Sequence, residues 1–158
     1  MSEDVFTDHL ATAQAAIYAR IKEHAAFNTW QAEKSVSQQG SMLYNFLKGA
    51  HSPAAFVVWN GNSFDEAVAD CQTAKTSWQI FCKIQTTIQA ELSGASLSMF
   101  KKVGRALQGF RPLPDYWGPL EYVAEAPAEL PIDDIIVRVF MLEMRCEIHE
   151  DFAADVNE

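Results

Sequence analysis

The chain predicts an α+β fold: a mainly antiparallel β-sheet packed against two main α-helices, in a single domain. Three observations lead there. Across residues 76–88, Trp78, Ile80, Cys82, Ile84 and Ile88 fall on one side, and Ser77, Gln79, Lys83, Gln85 and Thr87 on the other. A period of two marks a half-buried strand. Across 97–110 the period changes: Leu97, Phe100, Val103, Leu107 and Phe110 recur at three- and four-residue steps, one face of a helix. Residues 135–148 then read as a long closing strand.

The elements follow in order. Over residues 4–24, Phe6, Leu10, Ala13, Ile17 and Ile21 trace a helical stripe, with Asp8, Thr12, Arg20 and Glu23 elsewhere around the cylinder. Ser2 suits an N-cap, and Glu3 and Asp4 suit the positive end of the helix dipole. Asn28 and Thr29 break the pattern. Residues 30–36 are marked weakly as a short strand by Trp30, Ala32 and Val36. Met42, Leu43, Phe46 and Leu47 suggest a short helix ended by Gly49.

Pro53 opens a continuous apolar run over 54–59, expected as a central buried strand. Asn60-Gly61-Asn62 reads as a turn. Residues 64–74 are acidic and irregular, a loop between strands. After the alternating strand, residues 90–95 with Ser93-Gly94 form a linker. Ser96 is placed to cap the second helix and Gly109 to end it. Gly104 lies inside that helix at a cost of about 1 kcal/mol against Ala; close packing on the sheet and loose selection both account for it.

Pro112, Pro114 and Pro119 keep residues 111–119 irregular, because proline removes a donor and fixes a dihedral. Residues 120–126 are expected as a strand and 127–131 as a turn or bulge. In the last strand Ile136, Phe140, Leu142, Met144, Cys146 and Ile148 share a face. The other face is apolar at Val137, Val139 and Met141, then charged at Glu143, Arg145, Glu147 and His149. Two apolar faces in its first half imply cover on both sides, by a helix or by another subunit. An acidic tail over about 152–158 is expected to fray.

Composition narrows the function classes. At 158 residues, one domain can bury about 70% of the surface its unfolded chain exposes. Twelve Lys and Arg against 21 Asp and Glu give a net charge of −9. That balance disfavours sequence-specific or general nucleic-acid binding and anionic membranes, which need clustered cations. Cys71, Cys82 and Cys146 are an odd, widely spaced set, so neither a disulfide framework nor a zinc site is expected. Cys82 and Cys146 fall on apolar strand faces and read as small core residues; a reducing compartment follows. The Met-Ser-Glu-Asp start lacks the basic and apolar regions of a signal peptide. No apolar run approaches the roughly 20 residues of a membrane span.

Catalytic chemistry finds little footing. His9, His24, His51 and His149 are scattered. Glu147, His149, Glu150 and Asp151 are close enough in sequence for a metal cluster, but a solvated strand end is the better reading. Asp133-Asp134 and Asp65-Glu66 read as turn and solubility residues. Phosphate-loop and nucleophile-elbow patterns are absent from the sequence, and Cys71 has no visible base. The expectation is a non-enzyme without catalytic, cofactor or metal residues. Contact residues are better candidates: Lys101 and Arg105, which with Lys102 and Arg111 form the basic concentration; Tyr116 and Trp117 in the Pro-rich corner; and Val137, Val139 and Met141 on the two-faced strand.

These elements carry a resemblance. The amphipathic first helix, the Pro53-Ala54-Ala55-Phe56-Val57-Val58-Trp59-Asn60-Gly61 segment and the Trp78–Ile88 alternation come in one order. Arg105-Ala106-Leu107-Gln108-Gly109 and Gly118-Pro119-Leu120 follow. The chain resembles, over nearly its whole length, a family of small tail proteins of Mu-like contractile-tailed phages and prophages. The resemblance implies a tail terminator or other minor tail protein: a homo-oligomeric, hexameric ring at the head-proximal end of the tail tube. It further implies tail tube and neck proteins as partners, a place in the virion tail, assembly in the host bacterial cytoplasm, and no cofactor. A second reading starts from the −9 charge: an acidic, immunity-type inhibitor that covers a basic partner.

Overall fold

The computed structural model describes residues 2–25, 27–29, 53–64, 72–86, 95–114, 117–132 and 135–150. Helix α1 spans Ser2–Ala25. Its buried residues, Leu10, Ala13, Ile17, Tyr18, Ile21 and Ala25, recur at helical steps and form one face. Strand β1 is the pair Asn28–Thr29, β2 is Ala54–Phe64 and β3 is Gln72–Thr86. Helix α2 covers Ala95–Leu107, followed by β4, Glu121–Ile132, and β5, Ile135–Glu150. The fold is α+β, with β2, β3, β5 and β4 antiparallel and β1 added parallel to β2, in the order β1-β2-β3-β5-β4.

Both helices pack on one face of the sheet. There Ala55, Val57, Trp78, Ile80, Cys82, Phe140, Leu142, Met144 and Cys146 meet the buried faces of α1 and α2. Phe100 of α2 lies against Phe140 of β5, with ring centroids 3.9 Å apart. Each large apolar side chain buried this way contributes about 1.5–3 kcal/mol. Arg20 ties the two helices together: its Nε donates to the Ala106 carbonyl at 2.9 Å, and its guanidinium lies 5.1 Å from the centre of the Phe110 ring.

The opposite face is buried too over part of its length. Phe56, Val58, Phe81, Lys83 and Val139 are all buried there, with the Phe56 and Phe81 rings 6.3 Å apart. The cover expected over the first half of β5 is therefore supplied to Val139 within a single chain. Burial also pulls the Lys83 ammonium below its usual pKa.

Several sequence expectations are corrected. Asn60-Gly61-Asn62 is not a turn: β2 runs through it with a β-bulge between Trp59 and Gly61, and Gly61 supplies the positive φ of 103° that the bulge needs. The sheet centre is β3 rather than β2, since β3 pairs with strands on both sides along its length. Pro127 and Pro131 do not end a strand: both sit inside β4, opposite Phe140 and Ile136. β4 is the edge strand, the position where a missing N–H is tolerated. Asn28 and Thr29 do lie beyond the end of α1, and they pair with β2 as β1. The loop expected over 64–74 is too long, since Phe64 belongs to β2 and residues 72–74 to β3; residues 65–71, and the expectations for 30–36, 42–49 and 152–158, lie outside the described residues.

Gly109 does end α2, with φ 79° and a Phe110 N–H to Leu107 carbonyl bond of 3.0 Å. The chain then turns back on itself. Gly109 N–H donates to the Leu120 carbonyl at 2.9 Å, and Leu120 N–H to the Phe110 carbonyl at 2.8 Å. The start of β4 is thereby fixed beside the end of α2.

Candidate interaction surface

Side chains from the helical layer bond strand backbone at both edges of the sheet, at Val57 of β2 and at Tyr122 of β4, where Gln108 Oε1 accepts from the N–H at 2.9 Å. On the β2 edge, β1 pairs only with Ala54 and Ala55. Beyond it α1 takes over: Val57 N–H donates to the Tyr18 hydroxyl at 2.9 Å, and Gln14 Nε2 donates to the Val57 carbonyl at 3.0 Å. These two helix side chains thus satisfy the Val57 backbone groups at this edge. At the other edge, no strand among the described residues pairs with the outer side of β4. Residues 121–126 are all exposed, with Val123 43% and Tyr122 36% accessible.

A bulge shapes this open rim. The β4–β5 register shifts between Tyr122 and Ala124. Counting from the partners on β5, Tyr122 and Glu125 both lie opposite core-facing residues, Met144 and Leu142. Without the extra residue they would face opposite ways. The bulge lets the Tyr122 hydroxyl donate to Glu125 Oε2. Burial, and then the neighbouring Glu125, raise the Tyr122 phenol above its ordinary pKa. Glu121 lies on the other side of the rim, opposite Arg145.

The candidate contact residues separate into three places. Lys101 and Arg105 are exposed on α2, as their helical positions imply. Val139 and Met141 lie on the sheet face away from the helices; Val139 is buried, and Met141 is half-buried with its sulfur accepting from Gln79 Nε2 at 3.4 Å. Val137 is placed by register between Gln85 and Leu130. Tyr116 lies outside the described residues. Trp117 is corrected outright: it is 0% exposed, a core residue rather than a contact residue. Arg111 explains its place, since Nε and Nη2 both donate to the Trp117 carbonyl, at 3.2 and 3.0 Å, and fold the Pro-rich corner inward. Arg111 is thereby drawn away from the basic strip of α2.

In its place the fold brings two residues of α1. Arg20, His24, Lys102, Arg105 and Ala106 line an open groove of about 240 Å³ between the helices. Arg20 Nη1 donates to His24 Nε2 at 2.9 Å, so that nitrogen is the acceptor. Glu23 Oε2 is 4.0 Å from the same nitrogen. Arg20 and His24 stand four apart on α1, but only tertiary packing sets them beside residues more than seventy positions away. A second shallow groove of about 210 Å³, lined by Lys75, Pro119, Glu121, Val123, Arg145 and Glu147, mixes both signs.

Cys82 and Cys146 are buried free thiols, as the strand pattern implied. Among the described residues, no group of three His, Cys, Asp or Glu side chains is placed to hold a metal, and no helix is long and apolar enough to cross a membrane. Comparison with protein-family models and with characterised proteins found no match.

Proposed function

We propose that this protein is a structural assembly component acting as a closed ring: a tail terminator, or closely related minor tail protein, of a contractile-tailed phage or prophage. The observation that carries the reading is the asymmetry of the sheet edges. A ring built head to tail needs two different surfaces on every protomer, one to offer and one to receive. Here Tyr18 and Gln14 bond Val57 in the buried first half of β2, whereas residues 121–126 of β4 are exposed throughout, with Gln108 Oε1 accepting from the Tyr122 N–H. The order of elements that resembles the tail-protein family supports the same reading. In it the ring is hexameric, sits on the tail tube, and faces the neck.

The acidic-inhibitor reading fits the described surface less well. It needs a continuous anionic face, yet Lys75 and Arg145 lie among Glu121, Glu143 and Glu147.

The test is electron microscopy of purified protein mixed with tail tubes. Density at one end of each tube is the expected result. Binding along the tube wall, or none, would contradict the proposal.

A further inference from the structure

We infer that the basic groove between α1 and α2 receives the acidic rim of β4 from a second copy of this chain. The inference rests on the ring reading and names the two surfaces that would meet. In a protein of net charge −9, the groove gathers the three cations Arg20, Lys102 and Arg105. Lys102 and Arg105 are three residues apart on α2, hence on one helix face, and both are exposed. Arg20 is held in place by the Ala106 carbonyl and the Phe110 ring, so its charge is fixed in position before any partner arrives. Glu23 approaches the groove at its His24 end. The chemistry that fits is an acidic, extended segment.

Although Lys75 and Arg145 of the neighbouring strands flank Glu121, residues 121–126 of β4 themselves carry two carboxylates and no cation. They are extended, exposed throughout, and carry Glu121 and Glu125 on opposite sides of the rim, with Tyr122 and Val123 between them. The groove lies in the helical layer and the rim at the sheet edge. A contact between them pairs two unlike surfaces and so repeats from copy to copy, as ring closure requires.

Charge reversal on each side provides the test. The Lys102→Glu/Arg105→Glu chain should repel its own rim, and the Glu121→Lys/Glu125→Lys chain its own groove. Light scattering at low ionic strength, where surface charges are least screened, should find wild-type self-association and each variant weakened at least about tenfold. Mixed one to one, each variant's altered surface meets its complement on the other, so association should return. That recovery also shows that both variants are folded. Wild-type protein that stays monomeric overturns the inference, as do variants that associate like wild type or mixtures that fail to recover. None of these outcomes bears on end-binding to tail tubes, so the two proposals fail separately.

Discussion

Tyr122 of β4 lies directly over Gly104 of α2: a Cβ built on the glycine would stand 2.7 Å from Tyr122 Cε2. Close packing, rather than loose selection, accounts for this mid-helix glycine. Alanine would gain about 1 kcal/mol of helix propensity but must push the ring from its bond to Glu125. Gly104→Ala alone is therefore expected to leave stability unchanged or lower it. In a Tyr122→Ala background the same change should add about 1 kcal/mol. Urea unfolding of the four chains measures the coupling; an equal gain in both backgrounds would refute the contact.

Tyr18 gives a pH-dependent expectation. Burial holds its phenol well above the ordinary value, with the bond from Val57 N–H acting the other way. Below about pH 10, the unfolded value, the phenol is neutral in both states and its contribution is fully present. Above it the unfolded chain ionises first and binds fewer protons, so stability falls as pH rises toward the folded value. Tyr18→Phe leaves Val57 N–H without its acceptor and should cost about 1–3 kcal/mol at neutral pH. The gap to wild type should narrow above about pH 10. A gap constant from neutral to alkaline pH would contradict this.

The buried thiols should be unreactive. Burial pushes Cys82 up, and pushes Cys146 up to about 12 although Arg111 pulls the other way. Cys146 Sγ also donates to the Gly118 carbonyl at 2.7 Å. Alkylation mapped by peptide mass should reach both residues only at the rate of unfolding. Rapid labelling of either in native buffer would show that its strand face is open.

Trp117 should matter for stability rather than for contact. Removing a fully buried indole with Trp117→Ala should cost about 3–5 kcal/mol, measured by chemical denaturation. A loss under about 1 kcal/mol would return Trp117 to the surface.

The sequence carried the elements well where one period ruled. The alternation of Trp78, Ile80, Cys82 and Ile84 became the buried face of β3, and the Phe100, Val103 and Leu107 stripe became the buried face of α2. Local signals misled where tertiary context reassigned them. Gly61 marked a bulge instead of a turn, and Pro127 an edge strand instead of a break, because neighbouring strands decide both. Half of the basic groove was legible, since Lys102 and Arg105 share a helix. Arg20 and His24 were not, because docking of α1 on α2 places them there, and no spacing in the chain records it.

The proposed assembly role is tested most directly by deleting the gene for this chain from its source genome and measuring the lengths of the contractile tails produced there by electron microscopy. Tails of uncontrolled length, restored to one length by the wild-type chain, are the expected result. Tails of normal, uniform length in its absence would contradict it.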